Sequence, residues 1–254
     1  MIKFIFNSTE GRLAVITLVV FATMSILVPD RFLSPGNLTS MAFQFPEFAI
    51  LALAVTIAML TGGIDLSVVG AANLSAVVAA LFMSHFAGEG TGTGLLLVAI
   101  VISLCVGLST GLFNGILVAT FGLPPILATL GTGLIYTGLA IAMTGGSAVM
   151  GLPPALAWVG NGTFLGIPVP LFIFAVLATA LGWILKRTAF GLKTRMFGAN
   201  PLAARYAAMD TGRLLLKVYA LSGVLSAIAG IIVMSRANSA KADYGSSYLL
   251  LAVL

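Results

Sequence analysis

The sequence predicts an all-α polytopic membrane bundle, and three observations carry that expectation. Of the 254 residues, 60% are apolar and only 7% are charged, against about 25% charged in an ordinary soluble domain. The mean hydropathy is +1.16. From residue 90 to residue 185 there is no Asp, Glu, Lys or Arg at all. This deficit excludes a soluble enzyme, a disordered tail and a DNA-binding module. The net charge of +5 comes from 12 Lys and Arg over 7 Asp and Glu. That is too few to track a phosphate backbone, so nucleic acid is not an expected partner.

A membrane-crossing helix needs about 20 mostly apolar residues. Seven stretches qualify: 13–28, 44–60, 66–86, 95–121, 125–143, 169–185 and 214–234. The first is read as an uncleaved span, because Val28-Pro29-Asp30-Arg31 follows it with no small-residue cleavage site. An eighth apolar stretch, 248–254, is too short to cross. The expectation is therefore about seven complete spans, the start of an eighth, and a chain cut short at its C-terminal side. Residues 1–254 read as one transmembrane domain with a polar loop, 186–213, inside it.

Charge sets the orientation. Lys186, Arg187, Lys193, Arg195, Arg205, Arg213 and Lys217 cluster together, opposed only by Asp210. The positive-inside rule places this loop in the cytoplasm. It follows the sixth span, so parity places the N-terminus, with Lys3 and Arg12, on the same side. The connections at 85–94, 145–168 and 237–247 then lie outside.

Ser103, Gly107, Gly111 and Gly115 recur every four residues and form one small-residue face. Ala72, Ala76 and Ala80 repeat the pattern in the third span, and Ser222, Ser226 and Gly230 in the seventh. Such faces let helix backbones approach closely.

Asp65 lies in Thr61-Gly62-Gly63-Ile64-Asp65-Leu66-Ser67, between two spans with almost no linker. Gly-Gly breaks the helix there. Two roles stay open for Asp65: a helix N-cap at the cytoplasmic interface, or a pathway or gating group, since an intramembrane carboxylate is costly. Glu47, after Pro46, is read as interfacial. The neutral polar span residues include Asn73, Asn114, Thr129, Thr132 and Tyr136. They suit hydrogen bonding to a neutral polyol or to neighbouring helices.

In the polar loop, Asn200 is a good N-cap and Pro201 suits the first helical position. Leu202, Tyr206 and Met209 then form an apolar stripe on a helix over 200–209, ending at Asp210-Thr211-Gly212. A helix this short needs a covering surface, either membrane headgroups or a cytoplasmic partner protein. Its alanine face, Ala203, Ala204, Ala207 and Ala208, suits a narrow groove. There is no phosphate-binding Gly-x-x-x-x-Gly-Lys loop, no nucleophile elbow and no His-Glu-x-x-His. One His and one Cys cannot complete a zinc site. Catalytic and metal-binding residues are therefore expected to be absent.

Three segments resemble a known family. They are Leu60-Thr61-Gly62-Gly63-Ile64-Asp65-Leu66-Ser67-Val68; the run from Gly111 through Asn114-Gly115, Pro124-Pro125 and Thr129-Leu130-Gly131-Thr132 to Gly145-Gly146; and Gly198-Ala199-Asn200-Pro201-Leu202-Ala203-Ala204 followed by Tyr219-Ala220-Leu221-Ser222-Gly223. In these the chain resembles the integral-membrane permease subunits of bacterial ABC importers for sugars, the ribose/xylose/galactofuranose class. Two departures stand out. Val69 intervenes before Gly70, and Ala208-Met209 stands where relatives have Gly-Ile or Gly-Val.

The resemblance implies a non-enzymatic transport subunit in the bacterial inner membrane, with no cofactor on this chain. It implies ATP-Mg on a separate cytoplasmic ATP-binding subunit, a periplasmic sugar-binding protein and a second permease chain, besides membrane lipid. It implies that 200–209, with Gly198, Asn200, Pro201, Ala203, Ala204 and Tyr206, is the coupling helix. Asp65, Ser67, Asn73, Asn114, Thr129 and Thr132 are then the pathway or gating candidates, and Gly107, Gly111 and Gly115 the packing residues. The competing class is a self-contained secondary transporter, for which several ionisable groups within the spans would be expected.

Overall fold

The fold follows from long apolar runs broken by Pro and Gly. A computed structural model describes residues 9–86 and 93–253. Lys3 and most of the expected 85–94 connection lie outside the described residues, as does Leu254. The helices are α1 (Thr9–Leu27), α2 (Pro29–Phe32), α3 (Pro35–Met59), α4 (Val68–His85), α5 (Thr93–Ala119), α6 (Pro125–Thr144), α7 (Pro154–Asn161), α8 (Val169–Arg187), α9 (Ala189–Ala199), α10 (Pro201–Tyr206), α11 (Thr211–Ala237) and α12 (Tyr248–Val253). Pro stands at the first turn of α6, α7, α8 and α10, where its missing N–H costs nothing. A two-residue hairpin pairs Thr163–Phe164 with Ile167–Pro168 across Leu165 and Gly166, both at positive φ.

Six of these helices, α3, α4, α5, α6, α8 and α11, are long and apolar enough to cross a membrane. They coincide with the last six of the seven expected spans. The first expected span forms α1, whose apolar stretch Gly11–Leu27 is shorter.

The chain divides into two compact units, Met1–Ala42 and Phe43–Leu254. In the first, α1 and α2 meet through Phe21 and Phe32, whose rings lie edge to face at 5.1 Å. In the second, α4 and α11 are central, each with 72% of its span window buried, whereas α8 has 17%. α11 runs along α5 and α4, and α4 also packs on α6.

The close approach of α5 and α11 depends on glycine. A Cβ on Gly111 would collide with the Tyr219 carbonyl, and one on Gly107 with the Gly223 carbonyl. Gly115 sits 3.0 Å, measured from its would-be Cβ, from Leu216 Cα. Gly223 faces back onto Gly107 and Gly111, and Gly230 meets the Ala72 carbonyl of α4. With no hydrophobic force between helices in lipid, this backbone-level fit is the principal source of adhesion.

The polar-loop helix ends earlier than expected. α10 stops at Tyr206, and Ala208 takes the left-handed conformation at φ 54°. Met209 N donates to Ala204 O and Ala208 N to Arg205 O, the paired bonds of a Schellman closure. Glycine normally fills this position, which accounts for the Gly of the resembling family. Asp210 does not end that helix but caps α11, accepting from Arg213 N at 3.0 Å.

Replacing Gly111 with Leu is expected to abolish monodisperse protein, because the obstacle is backbone rather than a movable side chain. Gly131→Leu is the control, since nothing lies within 4 Å of a Cβ there. Yield and detergent elution profile of the two variants check this; equal profiles would refute it.

Candidate functional site: a buried polar network at a broken helix

The break between α3 and α4 arises locally. Gly62 turns at φ 80°, and a Cβ on Gly63 would lie 2.9 Å from Pro125 and 3.0 Å from the Tyr219 hydroxyl. The extended chain that follows leaves backbone groups without helical partners, and these must be satisfied inside the protein. Thr129 on α6 does part of this. Its hydroxyl accepts from Leu66 N at 3.0 Å and lies 3.1 Å from Ile64 O.

Asp65 organises the rest. It is 1% exposed. Oδ1 accepts from Ser67 N at 3.0 Å and from Ser67 Oγ at 2.7 Å, and Oδ2 accepts from Ser222 Oγ of α11 at 2.7 Å. The Ser67 proton is thus committed to the carboxylate. Its oxygen is free to accept, which fixes the Asn114 amide: Nδ2 donates to Ser67 Oγ at 2.6 Å. Asn114 Oδ1 in turn accepts from Thr132 Oγ1 at 2.6 Å and has the Tyr136 hydroxyl 3.3 Å away. Successive donors therefore point from Thr132 through Asn114 and Ser67 to one carboxylate, a direction in which each bond polarises the next.

Five expected site residues, Asp65, Ser67, Asn114, Thr129 and Thr132, meet here across α5, α6 and the break. The sixth does not. Asn73 donates to Ala242 O at 2.9 Å and Tyr244 O at 2.8 Å, and so pins the connection after α11. The interfacial-cap reading of Asp65 is corrected: Ser67 stands at the cap position of α4, and the Asp65 side chain is buried in the bundle. Sequence reading took Ser222 only as a small packing residue and did not anticipate its bond to Asp65. It also gave no role to Tyr219, which is fully buried with no hydrogen-bond partner for its hydroxyl among the described residues.

Two further findings concern charge and exposure. Glu47, expected near the interface, is 5% exposed within the protein. It accepts from Arg236 Nη1 at 2.8 Å and from the Tyr248 hydroxyl at 2.6 Å. In the polar loop, Ala204 is 3% exposed and packs with Phe197 and Leu214, so it is withdrawn from the expected alanine face, of which Ala203, Ala207 and Ala208 stay exposed. Leu202 and Tyr206 remain open at 61% and 84% exposure. Asn200 caps α10 by accepting from Ala203 N, and Pro201 is its first residue. Gly198 on α9 lies on the backbone of Leu60, where a Cβ would clash. The loop is thereby seated directly on the chain entering the break. Among the described residues, no three His, Cys, Asp or Glu side chains are grouped to hold a metal ion.

The chain is thus a helical membrane bundle with a hydrogen-bonded helix break and a short anchored helix beside it. The chain belongs to the family described as branched-chain amino acid transport system / permease component, whose pattern matches residues 37–254. It is a multi-pass membrane protein and a transport permease subunit. The ribose import permease protein RbsC of Bacillus subtilis (strain 168) is 37% identical over 234 residues, covering 91% of this chain and 70% of that protein. The autoinducer 2 import system permease protein LsrD of Enterobacter sp. (strain 638) is 33% identical over 245 residues, covering 92% and 72%. The corresponding LsrC protein of Yersinia pestis is 33% identical, covering 93% and 65%. No solved structure matches the chain.

Removing the Asp65 carboxylate orphans three buried donors. Asp65→Ala is therefore expected to lower stability by about 2–4 kcal/mol, and Asp65→Asn, which keeps an acceptor, by clearly less. Unfolding of both variants in detergent measures this. An Ala variant as stable as the Asn variant would refute an anchoring role for the carboxylate.

Proposed function

We propose that this chain is the membrane subunit of an ATP-driven importer for a sugar or similar small polar solute. It works in the bacterial inner membrane with its N-terminus and the 186–213 loop in the cytoplasm. ATP-Mg is bound and hydrolysed by a separate cytoplasmic subunit, a periplasmic binding protein delivers the solute, and a second permease chain completes the pathway within the lipid. The names of the relatives, ribose and autoinducer 2 importers, favour a sugar-like cargo over the amino acids in the family description.

The observation that carries the reading is the seat of α10. A six-residue helix cannot stand alone in water, yet this one is closed, capped and packed on Phe197 and Leu214. It still presents Leu202 and Tyr206 to the outside. Behind it, Gly198 rests on Leu60 at the head of the Asp65 break. A partner that pushes on α10 thus acts, through α9, on the backbone of Leu60, five residues before Asp65. Asp65, Ser67, Asn114, Thr129 and Thr132 form the element that this push opens or closes.

Uptake by the assembled importer in proteoliposomes is expected to need internal ATP and to survive a protonophore; collapse of uptake with ATP held constant would overturn the reading. Photo-cross-linkers at the exposed positions 202, 203 and 206 are expected to trap the ATP-binding subunit, and one at the buried position 204 is not. Trapping only from another cytoplasmic segment would displace the docking assignment.

A further inference from the structure

The end of the bundle remote from Asp65 holds a second polar group. Arg236 lies 14 residues beyond Ser222 on α11, about 21 Å along the helix. There Glu47 of α3, Arg236 of α11 and Tyr248 of α12 converge, joined by the two hydrogen bonds to the Glu47 carboxylate. They line a cavity of about 350 Å³ together with Gln44 and Tyr244. Small-molecule sites begin near 300 Å³.

The chemistry of the wall is specific. A guanidinium has five N–H donors and a carboxylate about four lone-pair positions. The Glu47–Arg236 pair engages one of those donors, and Glu47 engages two of its acceptor positions. The Arg236 side chain, 24% exposed, keeps its other donors for a ligand, the Tyr248 hydroxyl oxygen can still accept beside it, and the Glu47–Arg236 pair carries no net charge. A neutral ligand with adjacent hydroxyls, each both donor and acceptor, matches that arrangement. A lone cation or anion would meet attraction and repulsion together. Tyr244 and Tyr248 supply aromatic surface for the C–H face of such a ligand. Tyr244 is held in place, its hydroxyl 2.7 Å from Ser239 Oγ and its carbonyl bonded to Asn73.

We infer that this cavity, walled by Glu47, Arg236, Tyr244 and Tyr248, is a binding subsite for a neutral polyhydroxylated solute of monosaccharide size. The inference rests on the proposed transport function, which puts this end of the bundle on the side where solute arrives. The subsite is then the first stop of the solute in the membrane, and the Asp65 break lies further along.

The test uses the full chain in lipid nanodiscs with D-ribose as the probe, read by saturation-transfer NMR. Two variants separate binding from architecture. Glu47→Gln removes the charge pair. Ala237→Phe fills the cavity from the exposed last residue of α11 without touching the pair. Both are expected to lose saturation transfer at least about fivefold, the scale of one lost hydrogen bond, and Ala237→Phe is expected to melt like the parent. Full saturation transfer in a folded Ala237→Phe protein would overturn the subsite and leave the ion pair as a structural latch. No transfer from D-ribose to the parent, while the assembled importer accumulates it, would overturn the subsite and leave the transport reading standing. An importer that accumulates no polyol would overturn both.

Discussion

A carboxylate buried in a membrane bundle must be surrounded by donors or be neutralised, because lipid offers it nothing. Asp65 meets this condition with three hydrogen bonds, one from its own turn, one from the Ser67 hydroxyl and one from Ser222 on α11. Much else follows from it. Ser67 is held with its oxygen outward, Asn114 is forced into one amide orientation, and Thr132 is bound in turn. Breaking the helix between Met59 and Val68 is tolerable only because these partners, with Thr129, absorb the polar groups that the break exposes.

Glycine makes that arrangement reachable. Ser222 can bond to Asp65, and Asn114 to Ser67, only if α5 and α11 lie backbone to backbone. Gly107, Gly111 and Gly223 provide that approach. Gly70 and Gly133 do the same where α4 crosses α6: a Cβ on Gly70 would lie 2.6 Å from the Gly133 carbonyl. Packing and hydrogen bonding are thus one constraint here. A bulkier residue at the crossing would separate the donors from the acceptor as well as create overlap.

The same logic joins the loop to the network. Gly198 brings α9 onto Leu60, and Ala204 ties α10 to Phe197 and Leu214. α10 is therefore seated through α9 on the chain before the break. That chain leads into Gly62 and Gly63, the two residues with the least resistance to a change of backbone angle.

Span positions, the basic end and the break at Gly62-Gly63 could all be read from the sequence. Each depends on composition within a window or on the backbone preference of one or two residues, and such properties do not need a neighbour. Most of the central site was also legible as a set of polar residues in apolar runs. What the sequence could not supply was their pairing. Asp65 meets Ser222 across 157 residues, and Glu47 meets Arg236 across 189. Whether two such groups touch depends on how each helix is rotated about its axis and on how closely the backbones approach. Asn73 and Asn114 looked alike in sequence, yet one pins a distant loop and the other completes the network. Ala204 looked like its neighbours Ala203, Ala207 and Ala208, yet it alone packs against Phe197 and Leu214 while they stay exposed. The sequence by itself determined the solvent and the place and order of the six long apolar helices, because these follow from local hydropathy and backbone preference. Only the tertiary structure decided which polar groups satisfy one another, because in lipid that choice is made by the geometry of helix against helix.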